Sequence, residues 1–174
     1  MHRAGPILFL AIVATCLAQI TRLRTSDFPE LPHNIAMDLQ RRGCTVPQAS
    51  GIKGRHNVIK GQFAKPDQTD WAVLCSVNRA SSILIFWNGS EINPTRIENQ
   101  NDADRLQGDA NNNMVYSRAI EPVDKSYIME HYQAYGGEKP PPIDHQGIDD
   151  EFVGKASVVL YFYRGKWLHL TGAD

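Results

Sequence analysis

Residues 57–87 carry three apolar runs of strand length separated by turn-forming residues, and no other feature constrains the fold as much. Asn57-Val58-Ile59-Lys60-Gly61-Gln62-Phe63 leads through Lys65-Pro66-Asp67-Gln68-Thr69-Asp70 into Trp71-Ala72-Val73-Leu74-Cys75-Ser76-Val77, the pattern of a hairpin. After Asn78-Arg79-Ala80, the run Ser82-Ile83-Leu84-Ile85-Phe86-Trp87 is apolar on both faces, as an interior strand must be. Three strands so spaced predict an antiparallel meander.

A helix is predicted ahead of the meander, from about Pro32 to Arg42. Leu31, Ile35 and Leu39 recur at four-residue spacing, Pro32 suits a first turn, and Arg41-Arg42 complement the negative helix end before Gly43 stops it. Cys44 follows immediately, while Cys75 shares a strand face with Trp71 and Val73. A Cys44 to Cys75 bridge would therefore staple the helix end to the sheet.

The compartment decides whether such a bridge forms. Met1-His2-Arg3 is a short basic start, and the apolar run at residues 7–14 is far shorter than the roughly 20 residues of a membrane-spanning helix. Cys16-Leu17-Ala18 then offers small residues at the cleavage positions, so residues 1–18 read as a secretory signal peptide and the chain as secreted or periplasmic. Cleavage discards Cys16 and leaves Cys44 and Cys75 in an oxidising compartment, where a pair is expected to bridge. Val13-Ala14-Thr15-Cys16 sits where a lipoprotein box would, but Thr15 replaces the usual small residue and argues against a lipid anchor at Cys16.

Residues 19–27 read as a flexible exit segment and residues 28–174 as a single globular domain. Within it, residues 88–113 are polar and asparagine-rich and read as a surface excursion with at most a short helix near 103–106. A strand is expected at 114–120 and a helix at 123–135, ended by Gly136-Gly137; Glu138-Lys139-Pro140-Pro141-Pro142 is extended. A second hairpin spans residues 152–163 and 166–170 around Arg164-Gly165. Both its faces are apolar or aromatic, which predicts an interior position. The fold class expected is α+β: one antiparallel sheet of about five or six strands, an N-terminal helix packed on one face, and one disulfide.

Gly61-Gln62-Phe63 with Thr69-Asp70-Trp71-Ala72-Val73-Leu74 resembles one strand-turn-strand unit of the FG-GAP type found in β-propellers. The likeness spans about 20 residues once, whereas a propeller needs several blades. Where that family carries its calcium loop, this chain has Ala64, Lys65 and Pro66, leaving only Asp67 and Asp70, so metal binding is not implied. A wider pattern resembles a group of uncharacterised exported bacterial proteins. It joins Arg42-Gly43-Cys44-Thr45-Val46-Pro47, the Asp70 to Cys75 strand, Ile143-Asp144-His145-Gln146-Gly147-Ile148 and Gly154-Lys155-Ala156-Ser157, and implies export and a single domain but no activity.

The sharpest chemical cluster is Asp144, His145, Asp149, Asp150 and Glu151, four carboxylates and an imidazole that could hold calcium through oxygens or a transition metal through His145. Their spacing fits no established loop, and an acidic run before a strand is more often a solvated turn. No Gly-x-Ser-x-Gly elbow or His-Glu-x-x-His helix occurs, and Gly154-Lys155 opens no phosphate loop. Tyr161, Tyr163 and Trp167 are the candidate ligand surface, with Trp71 and Trp87 assigned to the core. With 18 basic and 19 acidic side chains and no basic stripe, the chain has no electrostatic case for nucleic acid.

These features predict an exported non-enzymatic binding or interaction domain of the cell envelope. It would need no cofactor, would have no membrane span, and its partner would be a protein or small molecule that the sequence does not identify. Two alternatives stand beside it: a metal-assisted hydrolase using the cluster at residues 144–151, and a periplasmic enzyme inhibitor.

Overall fold

The computed structural model describes residues 20–174, so the leader and Cys16 lie outside the described residues. Strands β1 (Arg22–Arg24) and β2 (Thr45–Pro47) flank helix α1 (His33–Arg41). The predicted meander follows as β3 (Val58–Gly61), β4 (Asp70–Val77) and β5 (Ala80–Phe86), with β6 (Thr95–Asn101) added at the edge. These six strands form an antiparallel sheet ordered β1-β2-β4-β5-β6, with β3 also paired to β4. A ribbon of β7 (Leu106–Gly108) and β8 (Met114–Tyr116) leads to β9 (Arg118–Val123), helix α2 (Lys125–Tyr135), β10 (Gly147–Phe152), β11 (Ala156–Tyr163) and β12 (Lys166–Thr171). The last four strands make a second antiparallel sheet, β12-β11-β10-β9.

Strand alternation then distributes the apolar residues over three cores. Trp71, Val73 and Cys75 of β4, with Leu84 and Phe86 of β5, pack on Ile35 and Leu39 of α1. Ala72, Leu74, Ile83 and Ile85 face the other way and meet Ile120, Ile148 and Leu160 of the second sheet. The outer face of that second sheet, with Val123, Val159, Tyr161 and Leu170, packs on Ile128 of α2. The chain is a four-layer stack: helix, sheet, sheet, helix. Cys44 and Cys75 are bridged, with Cα atoms 5.4 Å apart, and the link joins the chain just beyond α1 to the first sheet as expected.

One buried charge sits between the sheets. Arg118 is fully buried and donates through Nε and Nη2 to the two carboxylate oxygens of Asp150 on β10, each at 2.8 Å. The β5–β6 ladder shifts between Ser81 and Ile83, and Glu98 takes a positive φ of 53° there. At this bulge Arg118 also donates to the carbonyls of Ser81 and Glu98 and to the Ser81 hydroxyl. Asn57, in the left-handed region that asparagine tolerates, makes a second tie. Its amide donates to the carbonyls of Pro47 and Arg118 and accepts from the Ile120 N–H.

Several expectations need correction. The strands divide among three sheets, because periodicity shows that a face is buried but not whether a helix or another sheet covers it. The helix is not N-terminal among the described residues: β1 precedes it and pairs with β2. The polar stretch at 88–113 contains β6, whose edge position needs backbone pairing but few apolar side chains. The strand expected at 114–120 is two, β8 and β9, and β12 lies at a sheet edge while β11 is interior.

Leu160, fully buried between the sheets, supplies a direct check on this layering. Leu160→Ala is expected to lower unfolding free energy by about 2–5 kcal/mol in urea titration. A loss below about 0.5 kcal/mol, typical of surface sites, would mean the two sheets do not share that core.

Candidate functional site

Strand β10 determines what the acidic cluster can do. Successive side chains of a strand point to opposite faces, so Ile148 and Asp150 face the first sheet while Asp149 and Glu151 face the α2 side. Asp150 is spent on Arg118, with Arg105 a more distant second cation at 4.0 Å. Asp144 is exposed and accepts from the Tyr161 hydroxyl at 3.2 Å. His145, expected on an exposed loop, is buried, its ring stacked nearly parallel on Tyr161 at 4.4 Å. The five candidate metal ligands are therefore not brought together. Among the described residues no three His, Cys, Asp or Glu side chains are grouped so as to hold a metal ion.

What β10 does build is a groove of about 400 Å³ at the foot of α2, lined by Glu121, Val123, Asp124, Tyr127, Asp149 and Glu151. Asp149 is only 6% exposed. Its Oδ2 accepts from the Tyr127 hydroxyl at 2.7 Å, whereas its Oδ1 is buried without any hydrogen-bond partner. Such an atom is costly to leave unsatisfied in a folded protein. Burial, then the hydrogen bond to Asp149, pushes the Tyr127 hydroxyl up to about 12.

The neighbouring charges deepen the imbalance. Glu121 on β9 lies directly opposite Asp149 in the ladder, and like charges so placed repel. Glu151 follows two residues on, opposite the uncharged Ala119. Burial, with the charges of Asp149 and Glu121, raises the Glu151 carboxyl above its usual range. Asp124 has a separate duty as the N-cap of α2. Its Oδ1 accepts from the Ser126 hydroxyl at 2.6 Å and the Tyr127 N–H at 3.0 Å, which holds its carboxyl below the usual range. Among the described residues, none of Glu121, Asp124, Asp149 and Glu151 is paired with a cationic side chain.

The aromatic candidates separate as well. Tyr161 is fully buried in the core under α2 and presents no surface. Tyr163 packs at the edge of that same core, while Trp167 lies on the opposite face of the sheet against Phe162 and Trp87. The three share no common surface, because Tyr161 and Tyr163 have the opposite strand parity to Phe162, the register partner of Trp167. Trp71 is buried as expected and Trp87 only partly so. Asp70 accepts from the N–H groups of Phe63, Ala64 and Asn88 and from the Gln68 amide, and so braces the hairpin loop.

Sequence reading missed Glu121, Asp124 and Arg118. Asp124 was accessible as an acidic residue opening a helix; Glu121 acquires meaning only from its register with Asp149. Comparison with protein-family models, curated proteins and solved structures finds no match for this chain.

Because the folded state holds the Glu151 proton more tightly than the unfolded chain does, ionised Glu151 opposes folding above its raised pKa. That penalty is relieved as pH falls through the raised value toward the ordinary one. Glu151→Gln is therefore expected to raise the melting temperature at neutral pH, with the gain shrinking on acidification. A neutral-pH loss of stability would show that Glu151 is compensated in the fold.

Proposed function

We propose that this chain is an exported non-enzymatic binding domain of the cell envelope, and that the groove at the foot of α2 receives a positively charged organic group. The observation that carries the reading is the unpartnered, buried Oδ1 of Asp149, a residue that lines a groove whose other carboxylates also lack a cationic partner among the described residues. A bound cation would supply the missing hydrogen bond and relieve the Glu121–Asp149 repulsion at once.

Export draws support from the leader-like pattern at residues 1–18 and from the Cys44–Cys75 bridge, which suits an oxidising compartment. No helix among the described residues is long and apolar enough to cross a membrane. The metal-assisted alternative loses ground because β10 sends Asp149 and Asp150 to opposite faces. Calcium requires six to eight oxygens converging at about 2.3–2.6 Å, a demand that an open groove with carboxylates spread along two strands meets poorly. An organic cation places no such demand.

Titration with n-butylammonium, followed by backbone amide shifts, tests the reading. Perturbations are expected at Glu121, Tyr127, Asp149 and Glu151, and Asp149→Asn should weaken binding by about tenfold or more, the worth of a hydrogen bond to a charged group. Absence of saturable shifts there, or binding indifferent to Asp149→Asn, would refute it.

A further inference from the structure

We infer that the groove selects a linear diamine or polyamine, one ammonium group seated between Glu121 and Asp149 and a second at Glu151; this rests on the groove being a cation site. The spacing of the carboxylates carries the inference. Asp149 and Glu151 lie on one face of β10 two residues apart, a separation of about 6.5–7 Å along a strand. Glu121 stands directly across from Asp149, where facing Cβ atoms are about 4.5–5.5 Å apart. The acidic groups are thus arranged as a pair and a single, not as one converging set. A lone ammonium seated at the pair leaves Glu151 with no counter-charge, since its own cross-strand partner is Ala119. An extended four-carbon diamine spans the two positions.

The state of Asp149 further separates ammonium from guanidinium. A guanidinium binds best as a planar fork across both oxygens of one carboxylate. The Tyr127 hydroxyl already occupies Oδ2 of Asp149, leaving Oδ1 alone for a ligand. A compact ammonium needs only one oxygen from each neighbour. Val123 and the ring of Tyr127 also line the groove and give the methylene chain an apolar wall.

Isothermal titration of the protein with n-butylammonium, 1,4-diaminobutane and n-butylguanidinium at fixed ionic strength tests this, using the natural chain, Asp149→Asn and Glu151→Gln. The diamine should bind the natural chain about tenfold more tightly than the monoamine, and n-butylguanidinium should bind more weakly than n-butylammonium. Glu151→Gln should remove the diamine's advantage while leaving monoamine affinity in place. Circular dichroism of both variants secures the comparison, and Glu151→Gln, expected to be the more stable chain, keeps the test valid if Asp149→Asn unfolds. Equal affinity for monoamine and diamine in the natural chain would overturn the spacing inference alone. Preference for the guanidinium would overturn the ammonium assignment. No binding of any of the three would overturn the cation-site reading itself.

Discussion

The guanidinium of Arg118, buried between two sheets, is the interaction on which the rest of the structure depends. Placing a charge there is expensive unless every donor is met, and it is met here: the fork engages both oxygens of Asp150, two main-chain carbonyls and a hydroxyl. The acceptors come from β5, β6 and β10, so one side chain of β9 ties strands of both sheets together. The bulge in the β5–β6 ladder, with Glu98 in its unusual conformation, sits at the same point. Irregular backbone and buried charge belong to one device.

That device also determines the surface. A strand repeats every two residues, so drawing Asp150 inward to Arg118 sends Asp149 and Glu151 outward; a slip of one residue would exchange the faces. The acidic groove is thus the outer consequence of an inner ion pair. Nearby buried polar groups act in the same structural sense. Asn57 ties the first sheet to β9, Asp70 braces the first hairpin, and Asp102 accepts from Arg22 at 2.7 Å and from the Ser76 hydroxyl at 2.6 Å. Oδ1 of Asp102, like Oδ1 of Asp149, is buried without a partner, but of these residues only Asp149 lines the acidic groove.

Much of the element order was legible in the sequence, and for identifiable reasons. The meander at residues 57–87, the helix after Pro32, the helix ended by Gly136 and the Cys44–Cys75 bridge all rest on local periodicity, turn chemistry or cysteine parity. The stacking of two sheets was not legible, because Ile83 and Leu84 read alike whether a helix or a sheet covers them. Strand β6 escaped because Glu98, Asn99 and Gln100 carry no apolar signal, only backbone pairing. For the site, Asp149 and Glu151 were found by composition, but grouping them with Asp144, His145 and Asp150 ignored the two-residue period once those residues proved to be strand. Glu121 and Arg118 required the long-range register of β9 with β10, which one sequence does not display.

The central claim, that the Arg118–Asp150 pair holds the two sheets in register, is tested most directly by a double-mutant cycle in urea unfolding with Arg118→Met, Asp150→Leu and the double variant. Asp150→Leu strands the buried guanidinium, and Arg118→Met leaves Asp150 with only Arg105, 4.0 Å away; each is predicted to cost about 3–5 kcal/mol, while the double variant, which removes both members of the close pair, should be more stable than either single one. Additive losses, or single losses within about 0.5 kcal/mol, would contradict the account.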